Sequence, residues 1–118
     1  MIRMEVVMTD SESARARIAE IREELAHIAM ALPGSVTVRT YACGKAYCAC
    51  HKDPPKLHGP YYSWTRKVDN KTVTKLLSPE SYEKLKPLLE NHRRMRELVS
   101  EMAEATIAVL RDEGELPA

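Results

Sequence analysis

The feature that most constrains this chain is the stretch "CGKAYCACHKDPPKLHGPYYSW", residues 43–64. It places all three cysteines within eight positions and follows them with two of the chain's four histidines. Three cysteines cannot all pair with one another, and a reducing compartment disfavours disulfides. The stretch therefore predicts either free thiols or a metal site.

A structural zinc site is the favoured interpretation, because Zn²⁺ takes four tetrahedral ligands and three cysteines with one histidine are an established set. The predicted ligands are Cys43, Cys48, Cys50 and His58. His51 is the rival fourth ligand, but it follows Cys50 directly and would strain the same turn, whereas His58 returns after the "KDPPK" loop. Cys48 and Cys50 can both bind one ion only if the chain turns there, because alternate side chains of a strand point to opposite faces.

The alternatives to structural zinc are free thiols with solvent-facing histidines, a redox or nucleophilic site, and catalytic zinc. The sequence contains no Cys-x-x-Cys pair and no evident third group that would orient a thiol–histidine pair. Catalytic zinc needs an open coordination position and a carboxylate base, and Asp53 is the only acid of the loop. We therefore expect no enzymatic activity and no small-molecule substrate. Gly44 is expected to let the loop curl around the ion, whose binding energy would help to fold a small sheet.

Two helices flank this region. Apolar residues at alternating spacings of four and three predict a first helix over residues 9–32, with Thr9 and Glu12 as a capping box. A second, longer helix is predicted over residues 79–112, with Ser78 as its N-cap. Pro87 should kink or break this helix near its first turns, because proline removes one backbone hydrogen bond.

The long helix carries an apolar line that repeats every seven residues, which is typical of coiled-coil pairing. Its members are Leu85, Leu88, His92, Met95, Val99, Met102, Thr106 and Val109, beside a second line of Leu89, Leu98, Ala103, Ile107 and Leu110. The first helix is too short to cover the second. We therefore expect the overhang to fray or to pair with another copy of the chain, and a homodimer through the long helix is the favoured outcome.

Between the helices the period changes to that of β-strands. "SVTVRTYA", "YYSWTRKV" and "TVTKLL" alternate and are rich in β-branched residues, and "DNK" separates the last two as a hairpin turn. Residues 35–77 therefore predict a three-stranded antiparallel sheet, with the zinc-knuckle-like loop joining its first two strands. The expected fold is a single α+β domain over residues 1–118. The opening "MIRMEVVMTD" is too short an apolar run for a signal peptide, so a cytoplasmic protein without a membrane partner is expected.

Several of these segments together resemble an uncharacterised prokaryotic family of small proteins. They are "LPGSVTVR", "CGKAYCAC", "HGPYYSW", "KVDNKTVTKLL" and "ENHRRMREL", within residues 32–98. Members carry a Cys-Gly-Lys, Cys-x-Cys, His-Gly-Pro-Tyr-Tyr core between two helices. The resemblance implies a metal-knuckle core at Cys43, Cys48, Cys50 and His58, and it implies no assigned activity. The longer "HKDPPKLHG" loop, which adds His51, is a departure from the family pattern.

The formal net charge of +1 hides a basic segment, since residues 39–77 carry eight basic residues and two acidic ones. Interleaved tyrosines and a tryptophan would suit a surface that contacts phosphates and stacks bases, and the hairpin over residues 61–77 could enter a groove as a two-stranded ribbon. The candidate nucleic-acid contacts are Arg39, Lys45, Arg66, Lys67, Lys71 and Lys75. The alternative is that these charges form a solvated face and the rings form a core.

The sequence therefore favours a zinc-stabilised nucleic-acid-binding protein with a regulatory or mobile-element accessory role, and DNA is favoured over RNA. The alternative is a non-enzymatic adaptor that contacts another protein through its coiled-coil helices.

Overall fold

The computed structural model describes residues 9–117. Its elements are α1 (Asp10–Ala26), β1 (Ser35–Tyr41), a short 3-10 turn (Ala49–His51), β2 (His58–Val68), β3 (Lys71–Leu77) and α2 (Pro79–Asp112). This order confirms the predicted α+β layout of a small sheet between two helices. The prediction that the opening of the chain is not a signal peptide concerns residues that lie largely outside the described range. No helix within residues 9–117 combines the length and the apolar character that a membrane crossing requires.

The first helix begins where its capping signal lies and ends earlier than its apolar spacing predicts. The Thr9 hydroxyl accepts the backbone N–H of Glu12 at 3.1 Å, as expected of an N-cap. The last helical residue is Ala26, because the N–H groups of His27 and Ile28 donate to carbonyls only three residues back and so tighten the final turn. The Leu32 N–H, in turn, donates to the Leu88 carbonyl at 2.9 Å rather than continuing the helix.

The contacts of the chain divide it into two compact units. The helical unit contains the residues up to 31 and from 91 onward, and the sheet unit contains residues 32–90. The single-domain expectation stays a prediction.

In the helical unit, α1 lies antiparallel to the second part of α2. Three ion pairs show this direction, because residue numbers that increase along α1 are paired with residue numbers that decrease in the second part of the chain. The pairs are Arg15 with Glu113, Arg17 with Glu101, and Glu24 with Arg94. These pairs are exposed and are each worth little. Ile21 and Leu98 are fully buried, and Val109 is nearly so, and these apolar contacts hold the hairpin together.

The buried positions of α2 come from both apolar lines. Leu98 of the second line and Val109 of the heptad line are buried, whereas Val99 of the heptad line is 52% exposed. The Tyr82 ring of α2 stacks on Tyr62 of β2 at 4.5 Å between centroids, so the first turn of α2 contacts the sheet. Pro87 lies inside an unbroken helix. Coiled-coil pairing and the homodimer stay predictions.

The sheet unit is built on β2, which pairs antiparallel with β1 on one side and with β3 on the other. Asp69 and Asn70 connect β2 and β3 with φ angles of 50° and 66°, as expected of a two-residue type I′ turn. The predicted "DNK" turn is thus confirmed. β2 begins at His58, three residues before the predicted strand, because the metal loop returns directly into it.

Residues that lie opposite each other in antiparallel strands share a face of the sheet. One face, called here the helix face, contains Tyr62 and Trp64, and the Trp64 indole N–H donates to the Pro33 carbonyl at 2.8 Å. The other, called here the open face, contains Tyr61 and Ser63. One row of rings thus contacts the first turn of α2 and the segment before β1.

We predict that Leu98→Ala costs about 2–5 kcal/mol of unfolding free energy, because it removes a fully buried side chain. The adjacent Val99→Ala is the matched control and should change it by no more than about 0.5 kcal/mol. Urea unfolding followed by circular dichroism measures both. A larger loss for Val99→Ala would place that residue in a buried contact, as the heptad pattern requires.

Candidate metal centre

The ends of β1 and β2 bring the outermost ligands of the cluster together. Tyr41, the last residue of β1, lies opposite His58, the first residue of β2. Residues 42–57 therefore form a loop whose two ends meet at one edge of the sheet. Cys43, two residues beyond Tyr41, is thereby placed near His58.

A 3-10 turn at Ala49–His51 allows the side chains of Cys48 and Cys50 to point to the same site, which an extended strand would not. The His51 N–H donates to the Cys48 carbonyl at 3.0 Å, and the Cys48 N–H donates to the Lys45 carbonyl at 3.0 Å. The chain thus turns between the two cysteines instead of extending, and both thiols point to the same place. The turn that the sequence required is present.

The four predicted ligands form one cluster, in which every ligand atom lies within 4.8 Å of the others. The Cys43 and Cys50 Sγ atoms are 3.6 Å apart, and the Cys48 Sγ is 3.3 Å from the His58 Nε2. Zinc bonds of about 2.3 Å to sulfur and 2.0 Å to nitrogen give tetrahedral edges of roughly 3.5–3.8 Å. The cluster therefore fits a tetrahedral ion, and its three soft thiolates favour zinc over magnesium or calcium.

His51 lies outside this cluster. Its Nε2 atom contacts the backbone carbonyl oxygen of Cys43, and its side chain is exposed. The structure thus brings His58 and not His51 to the three thiols. The loop that returns the chain into β2 explains why the more distant histidine is the better placed.

The thiols differ in environment. Burial raises the pKa of the Cys50 thiol, which is only 2% exposed and accepts the Cys43 N–H at 3.3 Å. The backbone N–H of Cys50, the neighbouring thiols and His58 together lower the pKa of the half-buried Cys48 thiol to about 6. The Cys48 sulfur is thus held as a thiolate near neutral pH. A bound cation would favour the thiolate form of the other two.

The backbone next to a predicted ligand adopts a conformation that requires glycine, but this glycine is Gly59 and not the expected Gly44. Gly59 follows His58 with a φ of 106°, and a Cβ there would lie 2.6 Å from the Arg39 carbonyl oxygen. Gly44, which follows Cys43, has no atom within 4 Å of such a Cβ and no positive φ. The role expected of Gly44 thus belongs to Gly59. Its position directly after His58 in "HGPYY" was the available signal.

Sequence reasoning also missed a row of rings beside the histidine ligand. The Tyr41 ring stacks on His58 with centroids 5.4 Å apart, and on Tyr61 at 5.6 Å. The cross-strand pairing of Tyr41 with His58 produces the first of these contacts. Tyr41 therefore holds the imidazole in its orientation.

The six candidate nucleic-acid residues do not form one surface. Arg66, Lys71 and Lys75 lie on the helix face, Arg39 and Lys67 lie on the open face, and Lys45 lies in the metal loop. All six are exposed, and within residues 9–117 none of them forms an ion pair. The strand register separates residues that are close in sequence.

We predict that Gly59→Ala destabilises the protein by about 2 kcal/mol or more, because the substitution forces a positive φ and a clash with the Arg39 carbonyl. Gly44→Ala is a matched control, because Gly44 also directly follows a cluster residue, Cys43, but has open space where the Cβ would lie. Thermal unfolding at constant zinc should show a loss for Gly59→Ala alone. Equal losses in the two variants would contradict the role assigned to Gly59.

A second prediction concerns the fourth ligand. His58→Ala should weaken zinc binding by at least about tenfold, because the cluster loses its only nitrogen ligand. His51→Ala should leave the affinity nearly unchanged. Competition with a chromophoric chelator measures both, and the reverse order would make His51 the ligand.

Residues 11–87 match the family described as Domain of unknown function (DUF6788), and this range contains the whole sheet and all four cluster residues. The match confirms the resemblance to an uncharacterised family. No curated protein and no solved structure was found to match the chain. Because the match extends over more than half of its length, the chain belongs to the family Domain of unknown function (DUF6788).

Proposed function

We propose that this chain is a zinc-stabilised nucleic-acid-binding protein, with DNA favoured over RNA. The observation that carries the proposal is the set of unpaired basic side chains in the sheet unit. Residues 39–77 contain eight bases, and within the described chain none of them has an acidic partner. Phosphates are the partner that such a surface would bind.

The two units differ sharply in charge. Residues 32–90 contain ten basic and five acidic residues, a net charge of +5. Residues 9–31 and 91–117 contain seven arginines and eleven acids, a net charge of −4. Four of those arginines are held in ion pairs, and they are Arg15, Arg17, Arg93 and Arg94. The near-neutral total is therefore a basic sheet unit joined to an acidic helical unit, and only the first suits a polyanion.

The β2–β3 hairpin presents part of this charge at its tip. Arg66 and Lys67 precede the Asp69–Asn70 turn, and Lys71 follows it. Arg66 and Lys67 point to opposite faces, so the tip is basic on both sides. The Arg66 guanidinium lies 5.5 Å from the centre of the Trp64 ring. A two-stranded ribbon of this kind fits the width of the DNA major groove.

Zinc has a structural role in this proposal. Four protein ligands would complete a tetrahedral site, whereas catalytic zinc keeps one position open. When bound, the ion would supply folding energy to the sheet and would fix the loop that carries Lys45. A non-enzymatic role follows from this assignment.

We predict that the variant R66Q/K67Q/K71Q/K75Q binds duplex DNA with a flatter salt dependence. The slope of log affinity against log salt should fall by up to about 3–4, since each lost phosphate contact removes about 0.9. Fluorescence anisotropy over a series of salt concentrations measures it.

The control removes the same charge elsewhere on the protein. It neutralises four exposed bases outside residues 39–77 that have no ion pair within the described chain: Arg22, Lys84, Arg96 and Arg111. Its slope should stay within about one unit of the unmodified protein. Equal slopes for both variants would contradict the hairpin assignment. Failure of the unmodified protein to bind any nucleic acid would overturn the proposal in favour of the protein-adaptor role.

A further inference from the structure

The open face of the sheet carries two exposed tyrosines, and the role of one of them, Tyr61, is explained neither by the metal centre nor by the hairpin. Tyr41 and Tyr61 are 42% and 40% exposed, and their ring centroids are 5.6 Å apart. Tyr62 and Trp64, on the helix face, are instead half-buried. Two adjacent, solvent-accessible rings on the outer side of a sheet are available to a ligand with a flat aromatic surface.

We propose that this open face binds single-stranded DNA by stacking an unpaired base on Tyr61, whose ring is supported on its other side by Tyr41. The inference rests on the proposed function and adds to it the class of nucleic acid. Stacking on aromatic side chains is the sequence-tolerant way in which proteins hold unpaired bases, and each base so held contributes about 1–3 kcal/mol.

Cations lie on the same face at two places along β2. Arg39 is the cross-strand partner of Tyr61, so a base stacked on that ring has its phosphate near a guanidinium. Lys67 lies on the same face six residues further along β2, a distance of about 20 Å. A single DNA strand that runs along β2 from Arg39 to Lys67 would pass the rings of Tyr41 and Tyr61 at the Arg39 end.

The surface between these cations is polar and free of negative charge. Thr65 and Thr74 lie opposite each other with their hydroxyl oxygens 3.1 Å apart, and Thr37 and Ser63 are the neighbouring cross-strand pair. No acidic residue occupies a strand position of β1, β2 or β3. Hydroxyls can donate to phosphate oxygens and to base edges, and they do not repel a polyanion.

The geometry favours a single strand over a duplex and over a protein. Bases in a duplex already stack on one another, so they can use exposed rings only if they are unpaired. A protein partner would need an apolar surface, and Leu76 is the one large aliphatic side chain at a strand position of this face. The helix face and the hairpin tip remain free to contact a duplex.

The metal centre fixes this surface from one side. Tyr41 stacks on His58 as well as on Tyr61, so the three rings form a continuous row that begins at a ligand. Substitution of Tyr41 would therefore disturb both the proposed surface and the metal centre. Within residues 9–117, Tyr61 stacks on Tyr41 and on none of the four cluster side chains, so it is the better position for a test.

The test compares the binding of zinc-loaded Tyr61→Leu to a labelled oligothymidine and to a mixed-sequence duplex. Binding to the single strand should weaken about 5- to 100-fold, because one stacking platform is lost, and binding to the duplex should stay nearly unchanged. Tyr61→Phe should restore single-strand binding, because it keeps the ring. Tyr47→Leu is the control, since Tyr47 is 82% exposed in the metal loop and away from this face. Zinc content and circular dichroism establish that each variant is folded.

The outcomes separate this inference from the proposed function. If the unmodified protein binds neither nucleic acid, both are overturned. If it binds and Tyr61→Leu weakens both ligands equally, or neither, the single-strand site is overturned and the proposed function stands. Tighter binding of an oligouridine than of the oligothymidine would overturn the choice of DNA.

Discussion

The convergence of three thiols and one imidazole at the junction of β1 and β2 is the constraint on which the sheet unit depends. Within residues 32–90, the one apolar side chain that is almost fully buried is Cys50, which is itself a member of the cluster. The other buried apolar residues of the described chain, Ile21, Leu98 and Val109, belong to the helical unit. A unit with so little apolar core needs another source of folding energy, and a metal bound by this cluster would supply it.

The same arrangement explains how this small unit can be so strongly charged. A metal-stabilised sheet does not need wide apolar faces, so its strand positions can be given to hydroxyls, bases and partly exposed rings. The helical unit differs, because Ile21 and Leu98 are fully buried there and the surrounding arginines and glutamates form ion pairs with one another. We infer a division of labour in which the basic sheet unit binds nucleic acid and the acidic helical unit does not.

Local chemistry explains which features could be predicted from the sequence. Thr9 as a cap, the Asp69–Asn70 turn and the four cluster residues each depend on residues close to one another in the chain or on a strict ligand preference. The family match over residues 11–87 agrees with the motifs that suggested it.

Features set by distant partners could not be predicted in this way. The apolar spacing of α1 continues past Ala26, but Leu32 finds its hydrogen-bond partner at Leu88, which the spacing does not reveal. Val99 lies on the predicted apolar stripe and is nevertheless 52% exposed, because burial depends on the direction from which α1 packs. The basic residues divide between two faces because of the strand register, which a count of charges cannot supply.

The most direct test of the central claim is a titration of chelator-stripped protein with Co²⁺, followed by absorption spectroscopy. We predict saturation at one ion per chain, with the intense visible bands of a tetrahedral site, thiolate-to-cobalt charge transfer, and displacement of the cobalt by Zn²⁺. Weak octahedral bands, or no saturable binding, would contradict the metal centre and the account of the fold that depends on it.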